Sequence, residues 1–164
     1  MKFISIIMGS KSDYEVVSEA AKVLESFGVK YELIISSAHR SPERTISYVT
    51  AAEKKGVVAF ICAAGMAAHL AGVVAAHTTK PVIGVPMAGG ALSGVDALYS
   101  TVQMPAGMPV ATLAVGKAGA INSAYLAMQI LALSDAELSQ KLADDRAKKA
   151  AAVAKDSASV EVIL

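Results

Sequence analysis

The chain of 164 residues has no tryptophan and few aromatics of any kind, only 5%. A flavin stacked between aromatic rings is therefore poorly supplied. One cysteine, Cys62, excludes an intramolecular disulfide framework and a cysteine-rich metal site. A reducing, cytoplasmic setting is the simple expectation. Charge of one sign is also missing: the net charge is +1 and the sequence pI about 7.8. No overall charge points to nucleic acid or to an acidic partner. There is no G-x-G-x-x-G and no Walker lysine pattern. Carboxylates do not pair, and His, Asp and Glu do not cluster at metal-ligand spacing. No cofactor and no metal are expected.

What is abundant is apolar. Hydrophobic residues make up 54%, charged ones only 18%, and mean hydropathy is +0.51. For a chain of this size, self-association would hide the excess apolar surface. Residues 56–76 contain no formal charge and are long enough to raise the question of a membrane span. Their Ala/Gly composition, the internal His69 and a natural break into strand, turn and small-residue helix argue against one. The N-terminus has too short an apolar run for a signal peptide.

Five short apolar runs, at 3–8, 31–36, 57–62, 81–85 and 110–115, are rich in Val and Ile and lack strict alternation. Strands buried on both faces read this way. Helical patterns at 14–27, 42–55, 118–133 and 135–155 lie between or after them, and Gly28 and Gly56 stand where helices end. The last helix reads as exposed, and residues 156–164 have no place in the pattern. The alternation predicts a parallel sheet with right-handed crossovers. The expected fold is a three-layer α/β/α sandwich, flavodoxin-like, with a five-stranded parallel sheet and an outer C-terminal helix. Residues 1–164 read as a single domain.

In such sheets ligands bind outside the carboxyl ends of the strands. The loops there are GSKSD, SAHRSP, AAGMAAHL and PMAGGALSG. In the first, Gly9, Ser10, Ser12 and a helix N-terminus make a phosphate site, with Asp13 turned to neutral hydroxyls such as a ribose diol. The plainer reading, in which Ser12 or Asp13 is only a helix cap, stays open. In the second, Ser41 as cap, Pro42 and Glu43 already start a helix. His39 and Arg40 are then surplus to structure. Arginine forks onto phosphate or carboxylate oxygens, and histidine gives and takes protons near neutral pH. A solvent-exposed His-Arg pair is the competing reading. The third loop is small and uncharged, so a ligand can approach its backbone closely; alternatively it is a buried helix start with a core His69. His77 reads as structural, and residues 100–112 as a connector or a lid.

The segments IIMGSKSD, SAHRSPE, AAHLAGVVAAHT, KPVIGVP, ALSGVDALYSTVQMPAGMPVAT and AVGKAGAINSAYLAMQILAL resemble, in order and spacing, the class I N5-carboxyaminoimidazole ribonucleotide mutases. The likeness runs from residue 3 to about residue 146. It implies an enzyme of purine biosynthesis that moves a carboxylate from the exocyclic nitrogen to carbon 4 of the imidazole, without metal or ATP. It implies a homo-octamer and a phosphoribosyl aminoimidazole carbamate as small-molecule substrate. It leaves room for a transient contact with the enzyme that supplies the carbamate, and none for nucleic acid or membrane. His39 maps onto the catalytic histidine and His69 onto the second pocket histidine. Ser10, Ser12, Asp13, Ser37 and Arg40 map onto phosphate and ribose contacts, with Gly9, Gly65 and Leu70 lining the same pocket.

The family pattern G-A-G-G-A-A-H-L-P-G stands here as Ala63 to Gly72, with Ala63, Met66 and Ala71 replacing two glycines and a proline. If a lost glycine had positive φ, this loop is strained or rearranged. Alternatives are the class II aminoimidazole ribonucleotide carboxylase that uses free CO2, a non-catalytic phosphate-binding module of flavodoxin or receiver type, and an inactive structural oligomer. Arg40 and the pair His69-Leu70 favour the mutase over the carboxylase. The thin supply of aromatics and the absence of paired acids after the first strand disfavour the binding modules.

Overall fold

A computed structural model describes residues 2–163. Five parallel strands form one sheet in the order β2-β1-β3-β4-β5. They are β1 (Phe3–Met8), β2 (Tyr31–Ile35), β3 (Val57–Gly65), β4 (Val82–Met87) and β5 (Ala111–Thr112). The helices are α1 (Tyr14–Ser26), α2 (Pro42–Lys55), α3 (Leu70–Ala75), α4 (Val95–Val102), α5 (Lys117–Ala132) and α6 (Ala136–Val160). A single 3-10 turn, Lys11–Asp13, precedes α1.

The pleat divides the apolar runs between two cores. Ile4, Ile6 and Met8 of β1, with Ile61, Ala63, Ile83 and Val85, pack under α1, α5 and the start of α6. Phe3 and Ile7, with Phe60, Cys62 and Val82, pack under α2 and α3. Each of the larger side chains buried this way contributes about 1.5–3 kcal/mol. The one polar residue of β1, Ser5, is fully buried on the second face and bonds the Tyr48 hydroxyl at 2.9 Å. Burial and the Glu32 carboxylate beside it push the Tyr48 phenol up to about 12, despite the Ser5 hydrogen bond.

Helix ends follow local chemistry. Gly56 closes α2 in the left-handed region at φ 101°, and Gly28 follows α1 at φ 72°. Residues 56–76 divide into β3 and α3, as the sequence suggests, and among the described residues no helix is long and apolar enough to cross a membrane.

β3 and β4 run past their expected ends, to Gly65 and Met87, and three further features differ from expectation. The run 110–115 yields a strand of only two residues. β5 has one neighbour, and Pro86 of β4 ends the ladder. The carbonyl of Pro86 accepts from Gly116 on the β5 side. In a strand, N–H and C=O of one residue point the same way, so the N–H that proline lacks would also face β5. The last helix reaches Val160, absorbing most of the segment without a place; Leu164 lies outside the described residues. Ser41 precedes α2, but its hydroxyl does not cap that helix.

Candidate functional site

β1 turns to β2 on one side and to β3 on the other, so the strand order splits at the carboxyl end of β1. A cavity of about 720 Å³ lies there. Each strand from β1 to β4 sends a loop to it. The residues singled out from sequence, Gly9, Ser10, Ser12, Asp13, Ser37, His39, Arg40, Gly65, His69 and Leu70, all line this one cavity.

The first loop is built on Ser10. Its hydroxyl oxygen accepts from the Ser12 backbone N–H at 3.3 Å and from the Ser12 hydroxyl at 2.9 Å. Ser10 thus caps the 3-10 turn. Asp13 precedes α1 with helical dihedrals and makes no side-chain cap bond. The reading of Ser12 or Asp13 as the cap is thereby replaced, and the Asp13 carboxylate is left for the cavity. Burial pushes its carboxyl above the usual aspartate range, and a hydrogen bond from the Ser10 backbone only partly offsets this.

The second loop is pinched at its neck. Ser41 Oγ accepts from the Ser37 N–H and donates to the Ser37 carbonyl, both at 3.1 Å. The Ser41 N–H donates to the same carbonyl at 2.9 Å. Because Ser41 is spent on closing the loop, it does not cap α2 as its position suggests. Ser37 Oγ accepts from the Arg40 N–H at 3.1 Å. His39 and Arg40 are thereby held at the tip, both exposed. The Arg40 guanidinium donates to the Gly9 carbonyl at 3.2 Å, tying the second loop to the first. Ser36 and Thr45, both buried, anchor the base through a 2.8 Å bond.

The third loop brings His69 to His39. Nε2 of His39 and Nδ1 of His69 are 2.8 Å apart, with the rings edge to face at a centroid distance of 4.9 Å. One of these nitrogens carries the hydrogen and the other accepts. His69 is exposed at the head of α3, so the alternative of a satisfied core histidine does not hold. His77 bonds the Val73 carbonyl at the far end of α3, outside the cavity.

The same loop answers the question of the missing glycines. Ala63 is an ordinary buried strand residue inside β3. Met66 stands at φ 54°, in the left-handed region. A side chain there costs on the order of 1–2 kcal/mol that glycine would not. A Cβ on Gly65 would stand 3.4 Å from the Met87 carbonyl, an ordinary contact, so neither space nor backbone angle requires glycine there.

The fourth loop adds Met87, Ala88, Gly89 and Gly90 to the wall. The rule about strand carboxyl ends locates this loop, but nothing in its residue types marks them out. Among the described residues no group of three or more His, Cys, Asp or Glu is arranged to hold a metal ion. A larger cleft, about 950 Å³, lies between α5 and α6, touched by a strand end only at Leu113 after β5 and without a histidine. We place the candidate site at the smaller cavity, because side chains able to bind an anion and two hydrogen-bonded histidines converge there.

Comparison with known proteins agrees with this fold. The profile of the AIR carboxylase family matches residues 3–152. The chain is 52% identical over 143 residues to the N5-carboxyaminoimidazole ribonucleotide mutase of Escherichia coli K12, covering 87% of this chain and 85% of that one. It is 54% identical over 142 residues to the protein of that name from Pyrococcus abyssi, covering 87% and 80%. The crystal structure of Treponema denticola PurE superposes with a TM-score of 0.89 at 27% identity, covering 99% of this chain and 100% of that one. With its sheet, its strand-end pocket and these relatives in agreement, the chain belongs to the AIR carboxylase family.

Proposed function

We infer that the protein is a mutase of purine biosynthesis, converting N5-carboxyaminoimidazole ribonucleotide to 4-carboxy-5-aminoimidazole ribonucleotide. The observation that carries this reading is identity of about half the residues, over most of the chain, to relatives that bear the mutase name. The cavity supports it with groups suited to each part of such a substrate.

Ser10, Ser12, Ser37 and Arg40 hold the phosphate, Arg40 through a charge-assisted fork. Asp13 takes the ribose hydroxyls, where its charge does not oppose the phosphate. The imidazole then lies toward His39 and the uncharged third loop. A protonated His39 gives its proton to the carbamate nitrogen. The C–N bond breaks, its electron pair stays on nitrogen, and CO2 is released. Carbon 4 attacks CO2 to form the new C–C bond. The hydrogen on carbon 4 returns to His39 as a proton, restoring the starting state. The bond to His69 orients the His39 ring and gives the proton a neighbouring acceptor. Gly9, Gly65 and Leu70 shape the wall beside the ring.

The 164 residues act as one catalytic domain in the cytoplasm, and the apolar composition suits a homo-octamer. A transient contact with the enzyme that supplies the carbamate fits the exposed mouth of the pocket. The test is direct. Purified protein receives either N5-carboxyaminoimidazole ribonucleotide or aminoimidazole ribonucleotide with bicarbonate, and product is followed by absorbance. Rapid conversion of the first alone is expected. Preference for bicarbonate would make the protein a carboxylase, and turnover of neither would make it an inactive member.

A further inference from the structure

Ser41 stands where a helix cap belongs, yet its hydroxyl turns back to Ser37. The helix can spare it. Pro42 has no N–H to satisfy, and Glu43 and Arg44, whose N–H groups a cap would serve, are exposed to water. The loop uses it twice. One oxygen accepts from the Ser37 N–H and donates to the Ser37 carbonyl. A single atom that both gives and takes in this way must be a hydroxyl: a carboxylate has no proton to give, and a methyl can do neither. Ser37 Oγ in turn holds the Arg40 N–H, so the two serines fix both ends of the loop and the tip between them.

Two contacts reach out from that tip. His39 Nε2 lies 2.8 Å from His69 Nδ1, and the Arg40 guanidinium meets the Gly9 carbonyl at 3.2 Å. Both side chains are exposed, and of the tip residues 38–40 only Ala38 packs against the core. Their own burial therefore does little to hold them. Ser41 itself is not on the cavity wall.

We propose that Ser41 is a positioning residue: a hydroxyl clamp, closed on Ser37, that holds His39 within reach of His69 and so sets the proton carrier in place. Its kinetic consequence rests on the mutase reading above. A catalytic group displaced by an ångström can lose about a hundredfold in rate. A clamp and a cap rank substitutions differently. Threonine serves as either. Valine has threonine's shape and serves as neither. Aspartate is among the best caps, yet it cannot donate to the Ser37 carbonyl.

The experiment uses the full chain with ¹⁵N-labelled histidine and compares wild type, Ser41→Thr, Ser41→Val and Ser41→Asp. Turnover of N5-carboxyaminoimidazole ribonucleotide, melting temperature and the imidazole ¹⁵N spectrum of the free protein are read on each. Wild type and Ser41→Thr are expected to turn over alike and to show the same bonded histidine pair. Ser41→Val and Ser41→Asp are expected to lose about 10- to 100-fold in kcat, together with the spectral signature of the His39–His69 bond. Ser41→Asp is expected to melt no lower than Ser41→Val, so that its lost turnover is not lost folding. Wild-type kcat in Ser41→Asp would make Ser41 a cap and overturn the clamp while leaving the mutase reading intact. Equal losses in Ser41→Thr and Ser41→Val would do the same. Failure of wild type to convert the substrate would overturn the mutase reading alone. The imidazole spectra then decide the clamp, which falls if Ser41→Val keeps the bonded pair.

Discussion

The cleft between α5 and α6 encloses more space than the strand-end cavity, and it also contains charged residues. The difference lies in how those charges are spent. In the cleft, Lys149 bonds Asp145 at 2.6 Å, sits 4.1 Å from the centre of the Tyr125 ring, and also bonds the Tyr125 hydroxyl. Asp145 accepts from that hydroxyl at 3.0 Å and is held below the usual aspartate range, first of all by the Lys149 hydrogen bond. These three groups are closed on themselves, while Arg146 on the same wall has, among the described residues, no carboxylate partner. In the strand-end cavity, Arg40 has a backbone carbonyl but, among the described residues, no carboxylate partner. Asp13 likewise lacks a cation. Charges left without a counter-charge beside an open cavity are available to a ligand; charges already paired serve the fold. Volume does not separate the two sites; the strand-end cavity is set apart by the four loops that converge on it and by its pair of bonded histidines.

The sharpest way to press this contrast is to remove the proton carrier. His39→Asn keeps a polar side chain but cannot shuttle a proton. Turnover is expected to fall by about 10²–10⁴-fold, while substrate affinity by calorimetry stays near that of wild type. Near-normal turnover would remove His39 from the mechanism.

A smaller effect compares one cation from each region. Arg40→Ala should raise KM by roughly 10- to 100-fold, as loss of hydrogen bonds to a charged phosphate implies. Lys149→Ala, in the closed set, should change melting by less than about 1 kcal/mol of stability, because exposed ion pairs contribute little. It should leave KM as it is. Equal effects on KM from both variants would break the distinction between paired and unpaired charge.

The smallest effect concerns Asp13. Its folded pKa is raised, so the native state holds the proton more tightly than the unfolded chain. Stability contributed by the protonated form is therefore lost as pH rises from the unfolded value near 3.8 through the folded one. Asp13→Asn should melt higher than wild type at neutral pH, and the gap should close as pH falls below the unfolded value. Thermal scans across that range check the sign. A gap that persists in acid would mean that desolvation of the carboxylate is not its source.

Much of this was legible before any coordinates. Residue pattern gives β1 and α2 to the residue, because a short apolar run rich in Ile, or a Pro-started helix ending in glycine, leaves few alternatives. The strand-end rule collects the pocket residues from loops far apart in sequence. The failures have particular causes. β5 is short because of a proline on the neighbouring strand, and a single run of residues says nothing about its neighbour. Ser41 has the residue type of a cap, yet its hydroxyl is used by Ser37, four residues earlier in the chain. The wall formed by Ala88, Gly89 and Gly90 carries no functional side chains, so chemistry cannot flag it. Loss of a glycine does raise the question of strain in the third loop, but only dihedral angles separate Met66, which is left-handed, from Ala63, which is not.

The placement of the pocket residues also orders events during synthesis. Every lining residue lies between Gly9 and Gly90, so the whole pocket has been translated well before the chain ends. The strands that carry those loops, however, are covered on one face by α5, whose Ala120, Ala124, Ala127 and Met128 are buried against them. Until residues 117–132 leave the ribosome, α1 is the only long helix available to that face, and β3 and β4 expose their part of it to water. A nascent chain stalled at residue 90 would therefore carry every residue that lines the cavity and yet be a client for chaperones.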